Sequence, residues 1–419
     1  MRTRIEEEFR RRTANSAARA RAAEAVMPGG DTRAAAHHAP YPLTLERGEG
    51  PFVWDIDGHR YFDLVGNYTS LVHGHAYPPI VEVLRKTAAH GTAWAARCEA
   101  QIELATLLVE RVASVEKVRF TNSGTEAAML AMHIARVATG RRKILMARYG
   151  YHGSQEDTEI GLVGLEGPNT YLAEFGNLES FERALEEHGP EIACVLLEPV
   201  MGSAGIVAAP PGFLAAVCAA AHRAGAVFIL DEVICFRLDV GGAQARHGVT
   251  PDLTLFGKII GGGLPVGAVG GREELLAMTD PTKGMMFVSG TFNGNPLTTA
   301  AGVVSVRELT AERIERMEQY ATALRHGLER GAAEIGLPFC VNQAGSLLNL
   351  FFTPTPPPAT IVRTDYEHIR RFHLAALNRG LFFAPRGLMA LSTVITESMI
   401  EDIVERARAA LRDIATEQE

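Results

Sequence analysis

The sequence predicts an α/β fold built on a mainly parallel sheet with helices on both faces. Three observations carry this. Strand-like and helix-like stretches alternate from about residue 65 to 300, the pattern of repeated strand–helix crossovers. The short runs Ile192–Leu197, Ala226–Leu230 and Leu253–Phe256 are apolar and rich in branched residues, as strands covered on both faces are. Each run stops at ionisable residues: Glu198, the pair Asp231-Glu232, and Lys258 after Gly257. In open α/β sheets ligands bind at the carboxyl edge of the strands, so the pattern that predicts the fold also predicts a site.

Length and composition narrow the classes. A chain of 419 residues has room for more than one domain. Hydrophobic content of 47% and charged content of 21% are those of an ordinary globular protein and argue against disorder. A net charge of −8 without a basic domain argues against nucleic acid as a partner. Cys98, Cys194, Cys218, Cys235 and Cys340 are scattered, odd in number and without CxxC spacing. That suits neither a disulfide framework nor a zinc site, and points to a reducing cytoplasm. No apolar run approaches the length of a membrane span.

Along the chain, the Arg- and Ala-rich start resembles a transit peptide in composition, but Glu6, Glu7 and Glu8 are wrong for one. Ile5, Phe9 and the alanines after Asn15 instead predict a surface helix ended by Met27–Gly30. Residues ~43–64 alternate and carry turn signals at Gly48–Gly50 and Asp57-Gly58, a β-meander. A helix is expected from Pro78. His73 and His75 before it lack a nearby acidic or thiol ligand in sequence and read as loop histidines, so no metal site is expected. Ser123-Gly124-Thr125-Glu126 opens a helix with an apolar face of Ala127, Leu130, Ala131, Ile134 and Val137. Such a turn is an N-cap, and its free N–H groups, hydroxyls and helix dipole also suit a phosphate. Further helices are expected at Pro211–Ala224, Val306–Ile335 and Glu397–Ile414, and the Pro-rich Thr353–Thr360 reads as a surface loop.

Taken singly, an Asp after a strand is a turn residue and a Lys before glycines is solvated. Delivered together by neighbouring strands, Asp231 and Lys258 suit pyridoxal phosphate, which takes a lysine as Schiff-base partner and a carboxylate at its pyridine nitrogen. The surrounding phrases, Asp231-Glu232-Val233 and then GKIIGGGLPVGAVGG from Gly257, resemble the class III aminotransferases, and NSGTEA (Asn122–Ala127) matches that family completely. The resemblance covers nearly the whole chain. It implies fold type I of the pyridoxal-phosphate enzymes, with Lys258 as the Schiff-base lysine and Asp231 at the pyridine nitrogen. It further implies that Ser123, Gly124 and Thr125 hold the phosphate, that Tyr151 of the YHG phrase stacks on the ring with Val233 on the opposite face, and that Glu198 supports the network. Gly290-Thr291 matches a phrase that reaches the partner subunit's phosphate, which implies a homodimer with shared sites. The implied division is a large cofactor domain at 65–305, with 1–64 and 306–419 forming a smaller α+β domain.

Within the family, the glutamate-1-semialdehyde aminomutase branch and the related β-amino-acid aminotransferases look most similar. The aminomutases carry a glutamate near the C-terminus in a phrase resembling SQFEAGFLS, where this chain reads APRGLMALS (Ala384–Ser392). The glutamate is absent and Arg386 stands nearby. PGGDTR (Pro28–Arg33), APYPLTLERGEG (Ala39–Gly50) and the Arg386 phrase look like the β-amino-acid enzymes. There, arginines matching Arg33 and Arg386 handle substrate carboxylates, a task that suits the planar guanidinium fork. The expectation is therefore transamination between a β-amino acid, or its 3-oxo product, and an α-keto acid. The alternatives are an aminomutase or racemase, a dinucleotide oxidoreductase suggested by Gly261-Gly262-Gly263, and a non-catalytic binding module. The glycine run follows a lysine and opens no GxGxxG helix, and the intact Lys258 and Asp231 argue for catalysis.

Overall fold

The computed structural model describes residues 3–162, 164–359 and 367–417. The chain divides into two compact units. One comprises Met1–Tyr77, Glu315–Pro358 and Val362–Glu419; the other comprises Pro78–Ile314 and Ala359–Ile361.

The Pro78–Ile314 unit is built on a seven-stranded sheet. Its order is Lys117–Thr121, Gly267–Gly271, Leu253–Gly257, Val227–Asp231, Ile192–Leu197, Lys143–Ala147, Thr170–Ala173. Gly267–Gly271 runs antiparallel to both its neighbours, and the four pairings beyond it are parallel. Every residue of Ile192–Leu197, Val227–Asp231 and Leu253–Gly257 is buried. The apolar runs lack alternation because both faces are covered, yet the pleat still sorts them. Cys194, Leu196 and Ile229 pack with Ala127, Leu130, Ala131 and Ile134 of the helix Gly124–Thr139. Val195, Leu197, Phe228 and Leu230 pack on the other side with Phe181 and Leu185 of Leu178–His188 and with Phe213 and Val217 of Phe213–Arg223. Side chains two apart share a face. This is the expected α/β architecture with helices on both faces.

The other unit holds two small sheets. One has the order Leu45–Glu49, Phe52–Asp55, Arg60–Asp63, Leu381–Phe382. The other is an antiparallel sheet of Cys340–Ala344, Leu347–Phe351 and Leu388–Ala390. The helices Glu367–Asn378 and Glu397–Thr416 complete a shared core with Phe9, Phe62, Phe372, Phe383, Ile403 and Leu411.

Two helix expectations are corrected. The N-terminal stretch forms two helices, Arg4–Arg12 and Ala14–Glu24, and the first is not a surface element. Ile5 and Phe9, four residues apart on one helical stripe, are buried in the core, while Thr13 ends the helix by donating its hydroxyl to the Phe9 carbonyl. The long helix expected at Val306–Ile335 is instead two, Pro296–Glu308 and Ala311–Ala333. The Thr310 hydroxyl accepts from the Arg313 N–H as a new N-cap, a signal that the charged run around it hides. Of the Pro-rich loop, residues 353–358 form no helix or strand and expose most of their side chains, and Thr360 lies outside the described residues.

Candidate active site

Asp231 and Lys258 come from neighbouring parallel strands. Asp231 is the last residue of its strand and pairs with Leu255; Lys258 follows Gly257, the last residue of the next. The chain turns sharply there, and Lys258 takes φ +48°, the left-handed region that a lysine rarely enters. The Asp231 carboxylate is buried and held at both oxygens. Oδ1 accepts from the Val233 N–H at 3.0 Å, and Oδ2 lies 2.8 Å from Nδ1 of His152. His152 is itself buried, and its Nε2 has no hydrogen-bond partner among the described residues.

The Ser123–Thr125 turn sits at the mouth of a sixteen-residue helix. Ser123 caps it by accepting the Glu126 N–H at 3.1 Å, while the Glu126 carboxylate reaches back to the Asn122 N–H at 2.8 Å. This is a reciprocal cap displaced by one residue from the usual capping box. A Cβ on Gly124 would stand 3.1 Å from Val233 Cγ2, so the turn and Val233 are already in close approach. Val233 also lies against Gly257, where a Cβ would come within 3.2 Å of Cγ1. The Ser123–Thr125 turn, the Asp231 loop and the strand that leads to Lys258 therefore meet around one valine.

Tyr151, half-buried in the loop after Lys143–Ala147, donates its N–H to Glu198 Oε1 at 3.0 Å; the Gly202 N–H binds the other oxygen at 2.9 Å. Glu198 is buried. Burial pushes its carboxyl pKa up, with His152 opposing and Asp231 adding to the rise. Glu232, beside Asp231, is fully buried and accepts the N–H groups of Ala243 at 3.0 Å and Gln244 at 2.7 Å. Burial raises its carboxyl to about 7 against these hydrogen bonds.

Sequence reading missed two members of this cluster. His152 is adjacent to Tyr151, but 79 residues separate it from Asp231 and nothing local announces the contact. Glu232 read only as half of a strand-end acidic pair. The reading of His75 also needs correction, since its Nε2 lies 2.5 Å from Asp63 Oδ2, an acidic neighbour twelve residues back. His73 contacts Thr393 at 2.9 Å. Among the described residues no group of three or more potential ligands could hold a metal ion, and no helix is long and apolar enough to cross a membrane.

Thr291 is exposed. With Gly290, Asn293 and the segment Ala93–Arg97 it lines a cavity of about 520 Å³. Asn293 Oδ1 accepts from Asn122 Nδ2 at 2.8 Å, which ties this turn to the residue before Ser123. Arg33 and Arg386 belong to the other unit. Arg33 is exposed and donates from Nη1 to Asn67 Oδ1; Arg386 is half-buried in the turn before Leu388–Ala390. The phenol pKa of Tyr68 is pushed up by burial and drawn back by the charges of both Arg386 and Arg33. The two arginines, far apart in sequence, thus act on one point.

The chain matches the family model of the class-III aminotransferases over residues 33–411. A glutamate-1-semialdehyde 2,1-aminomutase from Rhodopirellula baltica is 37% identical over 416 residues, with 94% of each chain covered. The crystal structure of an ω-transaminase from Sphaerobacter thermophilus superposes with a TM-score of 0.89 at 39% identity, covering 95% of this chain and 97% of that one. A β-phenylalanine aminotransferase from Variovorax paradoxus gives 0.89 at 34%, covering 96% and 95%. With strand-end lysine, buried aspartate and helix-mouth turn on one sheet edge, and matches of this extent, the chain belongs to the class III aminotransferases, enzymes that work with pyridoxal phosphate.

Proposed function

We propose that this enzyme moves an amino group between a β-amino acid, or a 3-oxo acid, and an α-keto acid, as a cytoplasmic homodimer. The observation that carries the substrate reading is that Arg33, exposed and held at one corner by Asn67, lies in the same compact unit as Arg386, with the charges of both reaching Tyr68. A β-amino acid holds its carboxylate one carbon farther from the amine than an α-amino acid does. Two arginines from different segments serve a β-substrate in one half-reaction and an α-keto acid in the other. The similarity to a β-phenylalanine aminotransferase supports the same reading.

The residues fit the cofactor. Asp231 offers a buried carboxylate for a ring nitrogen, and the Ser123–Thr125 turn offers a helix N-terminus, with Gly124 leaving room for Val233 beside it. When bound, pyridoxal phosphate supplies a carbonyl that condenses with amines and a ring that takes up electrons from a broken C–H bond. Ser123, Gly124 and Thr125 hold the phosphate. Lys258 would hold the cofactor's carbonyl carbon, and its amine would carry a proton from the amine-bearing carbon of the donor to that carbonyl carbon, and the opposite way in the reverse half-reaction. Asp231 keeps the ring nitrogen protonated, and His152 donates Nδ1–H to fix that carboxylate. Tyr151 and Val233 cover the two ring faces against water, and Glu198 holds the Tyr151 backbone. Residues 65–305 act as the cofactor domain, and 1–64 with 306–419 as the smaller one.

The dimer reading rests on exposed apolar surface. Phe287 is 94% exposed, Phe292 60%, Met285 55% and Trp94 46%, in or beside the segments that line the Thr291 cavity. Such a concentration marks a surface that a partner covers, and it brings Thr291 to a second copy's phosphate.

A second reading, aminomutase, has in its favour two glutamate-1-semialdehyde 2,1-aminomutases that are 37% and 39% identical to this chain, and the absent C-terminal glutamate against it. An aminomutase consumes no second substrate. A panel of α-, β- and ω-amino acids assayed with pyruvate and 2-oxoglutarate separates the two. Transamination fastest with a β-amino acid is expected; isomerisation without loss of keto acid, or preference for an α-amino acid, overturns the proposal.

A further inference from the structure

Residues 66–69 adopt a conformation that their types do not favour. Gly66, Asn67, Tyr68 and Thr69 have φ of +52°, +50°, +53° and +76° in succession. Three non-glycine residues in a row in the left-handed region persist only where surroundings impose them. The surroundings are explicit. Asp63 Oδ1 accepts the N–H groups of Val65 and Gly66, both at 2.9 Å, and its Oδ2 is held by His75. The Thr69 N–H bonds the Val65 carbonyl at 2.8 Å, and the Leu71 N–H bonds Gly66 at 2.9 Å.

The turn also fixes which end of the Asn67 amide faces outward. The Ser70 hydroxyl donates to the Asn67 carbonyl at 3.0 Å, so it can only accept from Asn67 Nδ2, also at 3.0 Å. With the amide nitrogen used inside the turn, Oδ1 remains for Arg33 Nη1, at 2.5 Å. The Arg33 backbone is anchored separately, its N–H donating to Asp31 Oδ1 at 3.0 Å. Among the described residues the rest of the guanidinium has no other partner, and a guanidinium carries five N–H donors in a planar fork. A charge held at one corner, by a neutral acceptor that leaves it uncompensated, is what a carboxylate-binding arginine requires.

We infer that Asn67 is a positioning residue for carboxylate recognition, tethering one corner of Arg33 so that the remaining fork meets the carboxylate of the amino donor. The inference rests on the proposed role of Arg33. It goes further in assigning the strained turn a purpose, and in requiring a neutral acceptor at residue 67.

Asn67→Gly removes the acceptor and accommodates the left-handed backbone better than asparagine does. Asn67→Asp keeps the acceptor but adds a charge that competes for Arg33. The donor half-reaction of the holoenzyme is followed by single-turnover spectroscopy with β-phenylalanine and with 1-phenylethylamine, which has the same amine and ring but no carboxylate. Asn67→Gly is expected to weaken β-phenylalanine binding by about tenfold, the effect of losing one charge-assisted hydrogen bond. Its limiting rate and its behaviour with 1-phenylethylamine should be unchanged. Asn67→Asp should weaken β-phenylalanine more than Asn67→Gly does, and in an Arg33→Ala background neither change should have a further effect. If Arg33→Ala weakens β-phenylalanine but Asn67→Gly does not, the contact is only a loop clip and the inference is wrong. Equal weakening of both amines, or additivity with Arg33→Ala, also overturns it. If Arg33→Ala leaves β-phenylalanine binding intact, the failure lies in the Arg33 assignment itself, and the inference falls with it.

Discussion

At the scale of single residues, the deepest part of the site is a buried acid cluster whose members have different tasks. Asp231 is gripped at both oxygens, by Val233 N–H and His152 Nδ1, which would keep it turned to a ring nitrogen in its proposed role. Removing the histidine contact frees the carboxylate. His152→Leu is expected to lower kcat about ten- to a hundredfold, the equivalent of a lost hydrogen bond to a charged group. His152→Asn, whose amide nitrogen can take the place of Nδ1, should recover most of the loss in the same stopped-flow assay; a leucine variant as active as the wild type would dismiss the contact as packing. Glu232 has a different signature. Its carboxyl, ordinarily at 4.5, is pushed to about 7 by burial, so the folded state holds a proton that the unfolded chain releases. That contribution to stability is complete below pH 4.5 and is lost as pH rises through 7. Glu232→Gln cannot titrate. Between pH 5 and 7.5 the Tm of the wild type should therefore fall relative to that of the variant; parallel melting curves would show that the carboxyl titrates normally. Asp231 and Lys258 were legible in sequence because strand ends and glycines frame them. His152 was not, since its partner is reached only when strands distant in sequence become neighbours.

At the scale of elements, the antiparallel strand Gly267–Gly271 decides how tightly the Ser123–Thr125 turn, the proposed phosphate site, is held. It pairs with Lys117–Thr121, the strand that leads into Ser123, at Gly267↔Thr121. A Cβ on Gly267 would come 2.0 Å from the Ser123 carbonyl oxygen and 2.4 Å from Thr121 Oγ1. The first of these is backbone and cannot swing aside. Gly267→Ala must therefore shift the turn or the strand. The expected cost is about 1–3 kcal/mol in stability, as for overpacking elsewhere, with cofactor release faster than from wild type. Dialysis followed by absorbance measures the second effect, and cofactor retention equal to wild type would show that the turn yields without consequence. The phrase LPVGAVGG carried a family resemblance, but the reason for its glycines is visible only in the sheet. The apolar runs at Ile192, Ala226 and Leu253 were readable to within a residue because burial on both faces leaves a continuous signal. The helix break at Leu309-Thr310 was not, since a charged run continues through it and the cap is one threonine.

At the scale of the whole molecule, Thr291 is exposed, and the apolar side chains around it remain open. In the proposed dimer, each site takes Lys258 from one subunit and Thr291 from the other. Lys258→Ala should abolish turnover while leaving a folded dimer, because the substitution removes an amine and no packing contact of the core clusters. Thr291→Ala should weaken phosphate binding and lower activity at limiting cofactor. When the two variants are dissociated together and reassociated, random pairing makes about half the dimers hybrid. In a hybrid, Lys258 of the Thr291→Ala chain faces the intact Thr291 of the Lys258→Ala chain, so one of its two sites is complete and the other lacks both groups. Recovery of about a quarter of wild-type activity at limiting cofactor is then expected, above the sum of the separate variants. Two differently tagged chains, purified as hybrids, remove any doubt that exchange took place. Hybrids no more active than the Thr291→Ala parent at half its site concentration would place the threonine in its own subunit's site or in none. The exposed Phe287 and Phe292 would then need another occupant.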